Sequence, residues 1–133
     1  MDGFVSGFAE LVLIVEDVPH AAAFYREIVG LEPETEPDDA WAWFSVADGQ
    51  RLALRKGSLL FEKHSPHPDG QRWGHVHFAL TVPRDRLAAA VEQVRASRVE
   101  VYGPTRFDWM HATSYYFYDP DGNLLELWSP DPD

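Results

Sequence analysis

The pattern of apolar and polar positions near the start of the chain predicts a strand followed by a helix. Phe8 to Glu16 is apolar throughout from Leu11 to Val15, which is typical of a strand buried on both faces. Pro19 then favours a helix start. Apolar residues follow at helical spacing, and they are Ala21, Phe24, Tyr25, Ile28 and Val29. Gly30 is well placed to end this helix.

The next segments predict a loop or weak edge strand, followed by a pair of strands. Glu32 to Asp39 is acidic and contains two prolines, which indicates a loop or a weak edge strand. Trp41 to Val46 and Arg51 to Arg55 read as two strands joined by a turn across Asp48 and Gly49. His64 to Arg72 is rich in proline and polar residues, and we expect a linker there.

The same pattern then begins again. Gly74 to Val82 resembles a strand, and Pro83 with Arg84 opens a second helix. The apolar face of this helix consists of Leu87, Ala90, Val91 and Val94. Val99 to Tyr102 predicts a short strand, and Gly103 to Ala112 predicts a loop.

The segment from Ser114 to Trp128 predicts a β-hairpin. Two apolar and aromatic runs flank Asp-Pro-Asp-Gly-Asn, which is strong turn chemistry. The second run carries Glu126 among Leu124, Leu125, Leu127 and Trp128. Because a carboxylate is costly to bury unless something pairs with it, this position calls for a partner. A metal ion would be one.

The two halves of the chain can be aligned as an internal repeat. Residues 10–15 match residues 77–82 at an offset of 67, since 77 − 10 = 67. Residues 48–54 match residues 121–127 at an offset of 73, since 121 − 48 = 73. The sequence therefore predicts an α+β protein of two βαβββ modules within a single domain, residues 1–133. Module one covers about 8–56 and module two about 74–129.

This repeat selects four corresponding strand positions: Glu10, His77, Ala53 and Glu126. Three of the four are possible metal ligands. Two of them also have a purely structural explanation. Glu10 could be an exposed glutamate at the start of a strand, and His77 could be a hydrogen-bonded histidine of the core. Glu126 is the hardest to explain without a ligand, because apolar residues flank it on both sides. Together the three are candidate ligands of one metal ion.

The composition argues against several classes of function. The net charge of −11 disfavours nucleic acid and anionic membranes as partners. The absence of cysteine excludes disulfides and thiolate metal sites. No apolar run approaches the roughly 20 residues that a membrane-spanning helix needs. The first residues lack the pattern of a signal peptide, so we expect a cytoplasmic protein.

The paired unit and two motifs resemble the vicinal oxygen chelate superfamily. The motifs are Tyr-Phe-Tyr-Asp-Pro-Asp-Gly-Asn-Leu-Leu-Glu-Leu and Gly-His-Val-His-Phe-Ala-Leu, and the resemblance runs from about Phe8 to Trp128. This superfamily includes glyoxalase I, extradiol dioxygenases, fosfomycin-resistance transferases, methylmalonyl-CoA epimerase and bleomycin-resistance proteins. The resemblance implies a cup-shaped mixed β-sheet, the glyoxalase/bleomycin-resistance fold, and a homodimer.

It also implies a site and a type of chemistry. Members that use a metal bind it at the positions that match Glu10, His77 and Glu126. One divalent ion (Fe, Mn, Zn, Ni or Co) would then be chelated by two oxygens of a small substrate. A lyase or isomerase of the glyoxalase type, or a dioxygenase, fits such a site. Glu126 is the first candidate for a ligand that also acts as a base.

Some positions depart from the better-known members. Glyoxalase I has a glutamate where this chain has Ala53, so a four-ligand glyoxalase site is not intact. Extradiol dioxygenases and fosfomycin transferases have histidine at the position of Glu10. The transferases also carry a phosphonate-binding arginine beyond the last strand, where this chain has only Ser129 to Asp133. Fosfomycin transfer is therefore disfavoured.

Five further residues are candidates for the surroundings of the site. His75, Trp109, Tyr116 and Trp128 are predicted to line a substrate pocket, and His111 is predicted to supply acid–base chemistry. Without a functional role, His75 would be a polar residue at the pocket rim and His111 a surface histidine. The three aromatic residues would belong to the core.

Two alternatives to an enzyme stay open. A bleomycin-resistance-type protein without metal would sequester an aromatic small molecule in the cup. A structural or interaction role would leave the cup filled by packed side chains.

Overall fold

Both halves of the chain have the same order of elements, as the internal repeat predicts. The computed structural model describes residues 3–57 and 75–132. The chain divides into two compact units, Met1–Trp73 and Gly74–Asp133, and each carries one βαβββ module. Each module builds its own four-stranded mixed sheet, which confirms the α+β prediction. The linker predicted at His64 to Arg72 lies outside the described residues.

Within residues 3–57, module one consists of four strands and one helical segment. Its elements are β1 (Glu10–Val15), α1 (Val18–Ala23), a π-helical turn (Phe24–Val29), β2 (Glu32–Pro33), β3 (Trp41–Ala47) and β4 (Gln50–Lys56). The strand order is β1-β4-β3-β2. Strand β1 is parallel to β4, and the other neighbours are antiparallel.

The first helix follows from its local sequence. The Asp17 side chain accepts a hydrogen bond from the backbone N–H of His20, which caps the helix start. Gly30, at φ +89°, ends the helical segment in the left-handed region that glycine favours. The helix buries Ala21, Phe24 and Tyr25, as the apolar spacing predicts.

Module two repeats the arrangement with a longer edge strand. Its elements are β5 (His77–Thr81), α2 (Arg84–Ala96), β6 (Tyr102–Phe107), a 3₁₀ turn (Asp108–Met110), β7 (Ala112–Tyr118) and β8 (Leu124–Pro130). The strand order is β5-β8-β7-β6, with β5 parallel to β8.

The prediction for the region before the hairpin was wrong. Strand β6 begins only at Tyr102 and occupies the first half of the segment predicted as a loop. Gly103 and Pro104 are usually loop residues, but proline is tolerated on an edge strand, and among the described strands β6 pairs only with β7. A glycine is also needed at position 103 (φ +127°), because a Cβ there would lie only 2.9 Å from the carbonyl oxygen of Ser114.

The turn between β7 and β8 is held by its own side chains. Asp119 Oδ1 accepts hydrogen bonds from the backbone N–H groups of Asp121 (2.9 Å) and Asn123 (2.8 Å). The Asn123 side chain donates to Asp119 and accepts from the backbone N–H of Val76 (3.0 Å). These bonds confirm the predicted hairpin and fix the start of β8 beside the start of β5.

The two faces of the module-two sheet differ in polarity. Leu125, Leu127 and Phe117 are buried on one face, and α2 packs against β8 with Leu87 and Val91 buried. Strand alternation places His77, Ser114, Tyr116 and Glu126 on the other face. No helix within residues 3–57 and 75–132 is long and apolar enough to cross a membrane.

Candidate functional site

Glu126 lies at the centre of the polar face of module two. It is in the middle of β8, between β5 and β7, with Ala79 and Tyr116 as its neighbours across the strands. The residue is only 8% exposed. A carboxylate buried to this degree is stable only if hydrogen bonds or opposite charge replace its water. The surrounding side chains supply those hydrogen bonds.

The two carboxylate oxygens of Glu126 have different partners. Oε2 lies 3.0 Å from Nε2 of His77. Oε1 accepts a short hydrogen bond from the hydroxyl of Ser114, which is completely buried. Tyr116 lies directly opposite Glu126, and its ring centroid is 6.0 Å from that of His77. These four side chains form what we call the Glu126 cluster.

The environment of the cluster also acts on Tyr116. Burial raises the pKa of the Tyr116 hydroxyl, and the charge of Glu126 and a hydrogen bond to its carboxylate raise it further. The hydroxyl therefore stays a hydrogen-bond donor across the neutral and mildly alkaline range.

The atoms of the cluster are of the kind that divalent metal ions bind. An imidazole nitrogen and a carboxylate oxygen suit Zn, Mn, Fe, Co and Ni. The His77 side chain is 54% exposed, so a solute can reach it. Among residues 75–132, no third His, Asp or Glu side chain joins the pair in a metal-binding group. Module two thus supplies two ligand atoms that fit a metal.

The cluster is not arranged for an activated serine nucleophile. A serine nucleophile needs a base beside its hydroxyl, and the base in turn needs an orienting group. Here the Ser114 hydroxyl donates to Glu126, and the carboxylate stands between Ser114 and His77.

The third predicted ligand, Glu10, belongs to module one. It is the first residue of β1, it is exposed, and its neighbour across the parallel pair is Arg51. Its role as a ligand stays a prediction. Ala53, at the position matching Glu126, is completely buried between Val12 and Trp43 on the neighbouring strands.

Trp128 lies on the same face as Glu126. Strand alternation puts it there, opposite Ser114, and its indole N–H points to the sulfur of Met110 at 3.1 Å. Of the predicted pocket residues, Tyr116 is thus part of the Glu126 cluster and Trp128 lies on the same face beside it. Their contact with a substrate stays a prediction.

The other predicted pocket residues lie elsewhere on module two. The His75 ring packs over the hairpin turn, where a Cβ on Gly122 would lie 3.1 Å from it. His111 is exposed, in a left-handed conformation, and its carbonyl accepts a hydrogen bond from the backbone N–H of Asp131. Trp109 is 79% exposed in the 3₁₀ turn. Their predicted roles remain untested.

Sequence reasoning missed the part played by Ser114. The hairpin register contained the signal, because pairing Tyr118 with Leu124 across the turn puts Tyr116 opposite Glu126 and Ser114 opposite Trp128. A serine two residues from Tyr116 therefore shares the face of the buried carboxylate.

Comparisons with known proteins agree with this architecture. The chain is 28% identical over 119 residues to "Virulence protein STM3117" of Salmonella typhimurium, covering 88% of this chain and 79% of that protein. The crystal structure of lactoylglutathione lyase from Agrobacterium tumefaciens superimposes with a TM-score of 0.77 at 25% identity, covering 96% of both chains.

A third relative carries a metal. A glutamate-to-glutamine variant of the fosfomycin resistance protein FosX from Listeria monocytogenes, complexed with Mn(II) and 1S,2S-dihydroxypropylphosphonic acid, is similar at 25% identity. The TM-score is 0.66, and the match covers 93% of this chain and 90% of that one.

The model of one family matches residues 7–127, nearly the whole chain. Its two modules, its hairpin motif and its structural relatives agree with that match. The chain belongs to the Glyoxalase/Bleomycin resistance protein/Dioxygenase superfamily.

Proposed function

We propose that the protein is a metal-dependent enzyme whose small substrate chelates the metal through two oxygens. His77 and Glu126 would hold one divalent ion, with Glu10 as the third ligand that the family resemblance implies. The observation that carries the proposal is the pair of ligand-type atoms, Nε2 of His77 and Oε2 of Glu126, 3.0 Å apart on a solvent-accessible face.

Two relatives support this proposal. One is named a lactoylglutathione lyase, and the FosX variant was crystallised with Mn(II) and a dihydroxylated phosphonate. Mn(II) is therefore the first ion to test, before Fe, Zn, Ni and Co. The reaction would be that of a lyase or isomerase of the glyoxalase type, or of a dioxygenase.

The residues of the cluster have separate roles in the proposed reaction. The metal would act as a Lewis acid toward substrate oxygens. Glu126 would accept a proton from the substrate, and the Tyr116 hydroxyl would donate a hydrogen bond beside it. Trp128 would contact the substrate from the same face. Glu126→Gln is expected to abolish turnover while the fold survives, and full activity in that variant would refute the role of Glu126 as base.

A metal-free binding protein is the second candidate. The observation that favours it is the hydrogen bond between His77 and Glu126, which satisfies both groups without a metal. Tyr102 and Tyr118 add exposed aromatic surface on the same face, with ring centroids 6.5 Å apart. An aromatic ligand would find contacts there.

A metal-dependent thermal shift separates the two candidates. For the metalloenzyme, Mn(II) or a related ion raises the melting temperature of the wild-type protein, since a ligand that binds the native state stabilises it. The shift is lost in His77→Ala. A binding protein without metal shows no shift with any of the five ions.

We also propose that the protein forms a homodimer, as the family resemblance implies. Light scattering coupled to size-exclusion chromatography tests this directly, and a monomeric mass at micromolar concentration would refute it.

A further inference from the structure

The Glu126 carboxylate is held asymmetrically. Ser114 donates to Oε1, whereas Oε2 faces His77. The two partners also differ in exposure, since Ser114 is completely buried and His77 is half exposed. The contact at Oε1 is therefore shielded from water, and the contact at Oε2 is open to an incoming solute.

The position of Ser114 is fixed by the backbone on both sides of β7. The hairpin turn sets the β7–β8 register that places Ser114 beside Glu126. On the β6 side, Gly103 approaches the carbonyl oxygen of Ser114 so closely that a Cβ would not fit. The hydroxyl is thus presented to Glu126 from a well-fixed strand.

Ser114 can donate only one hydrogen bond, and Glu126 Oε1 receives it. We propose that Ser114 is a positioning residue, whose hydroxyl holds Oε1 of Glu126 so that Oε2 stays beside His77 and available to a metal ion. This inference rests on the proposed function, because it assigns Ser114 a role in that same site. Without the hydroxyl, Oε1 loses this donor, and the orientation of the ligand oxygen depends on His77 and Tyr116 alone.

The chain offers a matched control for this role. Ser129 lies on the neighbouring strand β8 and is also completely buried. Its hydroxyl has no hydrogen-bond partner among the residues that the structure describes. Ser114→Ala and Ser129→Ala therefore remove the same atom from equally buried sites, but only the first removes a contact to Glu126.

The first readout is the affinity of the full chain for Mn(II), measured by electron paramagnetic resonance of the free ion. We expect Ser114→Ala to weaken binding by about 10- to 100-fold, the usual effect of losing a group that orients a metal ligand. Ser129→Ala should bind like the wild type. Equal affinity in all three proteins would overturn the inference.

The second readout is independent of metal. In the metal-free protein, long-range ¹H–¹⁵N spectra report the hydrogen bonding of the His77 ring nitrogens. Ser114→Ala should shift the His77 signals, and Ser129→Ala should leave them unchanged. Unchanged signals in Ser114→Ala would refute positioning whatever the metal result.

The two readouts separate failure of the inference from failure of the proposed function. A wild-type protein that binds no divalent ion refutes the proposed function, while a shifted His77 signal still supports the positioning of Glu126. Should Ser114→Ala fail to fold, Ser114→Thr keeps the hydroxyl and should keep the wild-type His77 signals. Altered signals in that variant would count against the inference.

Discussion

The two modules share a topology but differ at equivalent strand positions. In module two, Glu126 faces Tyr116 across the strand pair, and Ser114 faces Trp128. In module one, the matching positions place Ala53 opposite Trp43, and Trp41 opposite Arg55. The backbone arrangement is therefore duplicated, while the polar cluster is present at only one of the two matching positions.

In module one, three of these four positions carry an aromatic or cationic side chain. Trp41 and Trp43 stack with ring centroids 4.9 Å apart and an angle of 3° between their planes. The Arg55 guanidinium lies 5.7 Å from the Trp41 ring centroid. Glu126 is thus buried where side chains on neighbouring strands are hydrogen-bonded to it, whereas the matching position in module one is a buried alanine.

The largest effect is expected from Ala53→Glu. Glutamate at this fully buried position would lack the partners that Glu126 has, and an uncompensated buried charge destabilises by roughly 3 kcal/mol or more. We expect a melting temperature lower by about 10 °C or more, measured by circular dichroism. Ala53→Ser serves as the small polar control. A wild-type melting temperature for Ala53→Glu would show that partners are not what makes Glu126 tolerable.

A smaller effect is expected from Gly103→Ala. The long edge strand β6 of module two has only the two-residue β2 as its counterpart in module one. A Cβ at Gly103 would meet the backbone of Ser114 at a φ that suits glycine, which costs about 1–3 kcal/mol. Urea denaturation measures the loss. Gly49→Ala, with open space around its Cβ position, controls for backbone strain alone.

The end of module two provides a pH-dependent test. Arg106 donates to both carboxylate oxygens of Asp131, and Arg84 adds a bond of 3.1 Å. The hydrogen bonds from Arg106 are the main reason that the pKa of Asp131 lies below its ordinary value, and the charges of Arg84 and His111 contribute. Its stabilising effect is therefore present above about pH 4 and is lost as pH falls through the lower, folded-state pKa.

The variant that reads this effect is Asp131→Asn. Its melting temperature should lie a few degrees below that of the wild type at pH 7, and the gap should close toward pH 2. The matching test on module one is Glu34→Gln, which breaks the 2.8 Å bridge to Arg51. Because Arg51 is more exposed than Arg106 and Arg84, the effect should be smaller. If the difference in melting temperature between Asp131→Asn and the wild type did not depend on pH, the stabilising effect could not come from the lowered pKa of Asp131.

The smallest effect is expected from Ser129→Ala. Because its buried hydroxyl has no partner among the described residues, removing it should change the free energy of unfolding by less than about 0.5 kcal/mol. Ser114→Ala should cost about 1–2 kcal/mol, since it removes the hydrogen bond that Ser114 donates to the buried Glu126 carboxylate. Chemical denaturation of the two variants side by side measures both changes. Equal losses in the free energy of unfolding would show that the two buried hydroxyls do not differ in their contribution to stability.

Much of this architecture could be predicted from the sequence. Alternation, helical spacing and turn residues located most strands and both helices, and the repeat paired Glu126 with Ala53. The extent of β6 could not be predicted, because Gly103 and Pro104 read as loop residues unless the edge position of the strand is known. The β7–β8 pairing that joins Ser114 to Glu126 is a tertiary contact, and it emerges only once the hairpin register is fixed.

The most direct test of the account is the metal content of the freshly purified protein, measured by elemental analysis before and after reloading with Mn(II). We predict about one equivalent of divalent metal per chain in the wild type, and its loss in His77→Ala with the fold retained. Zero metal in the wild-type protein, even after reloading, would contradict the proposed site.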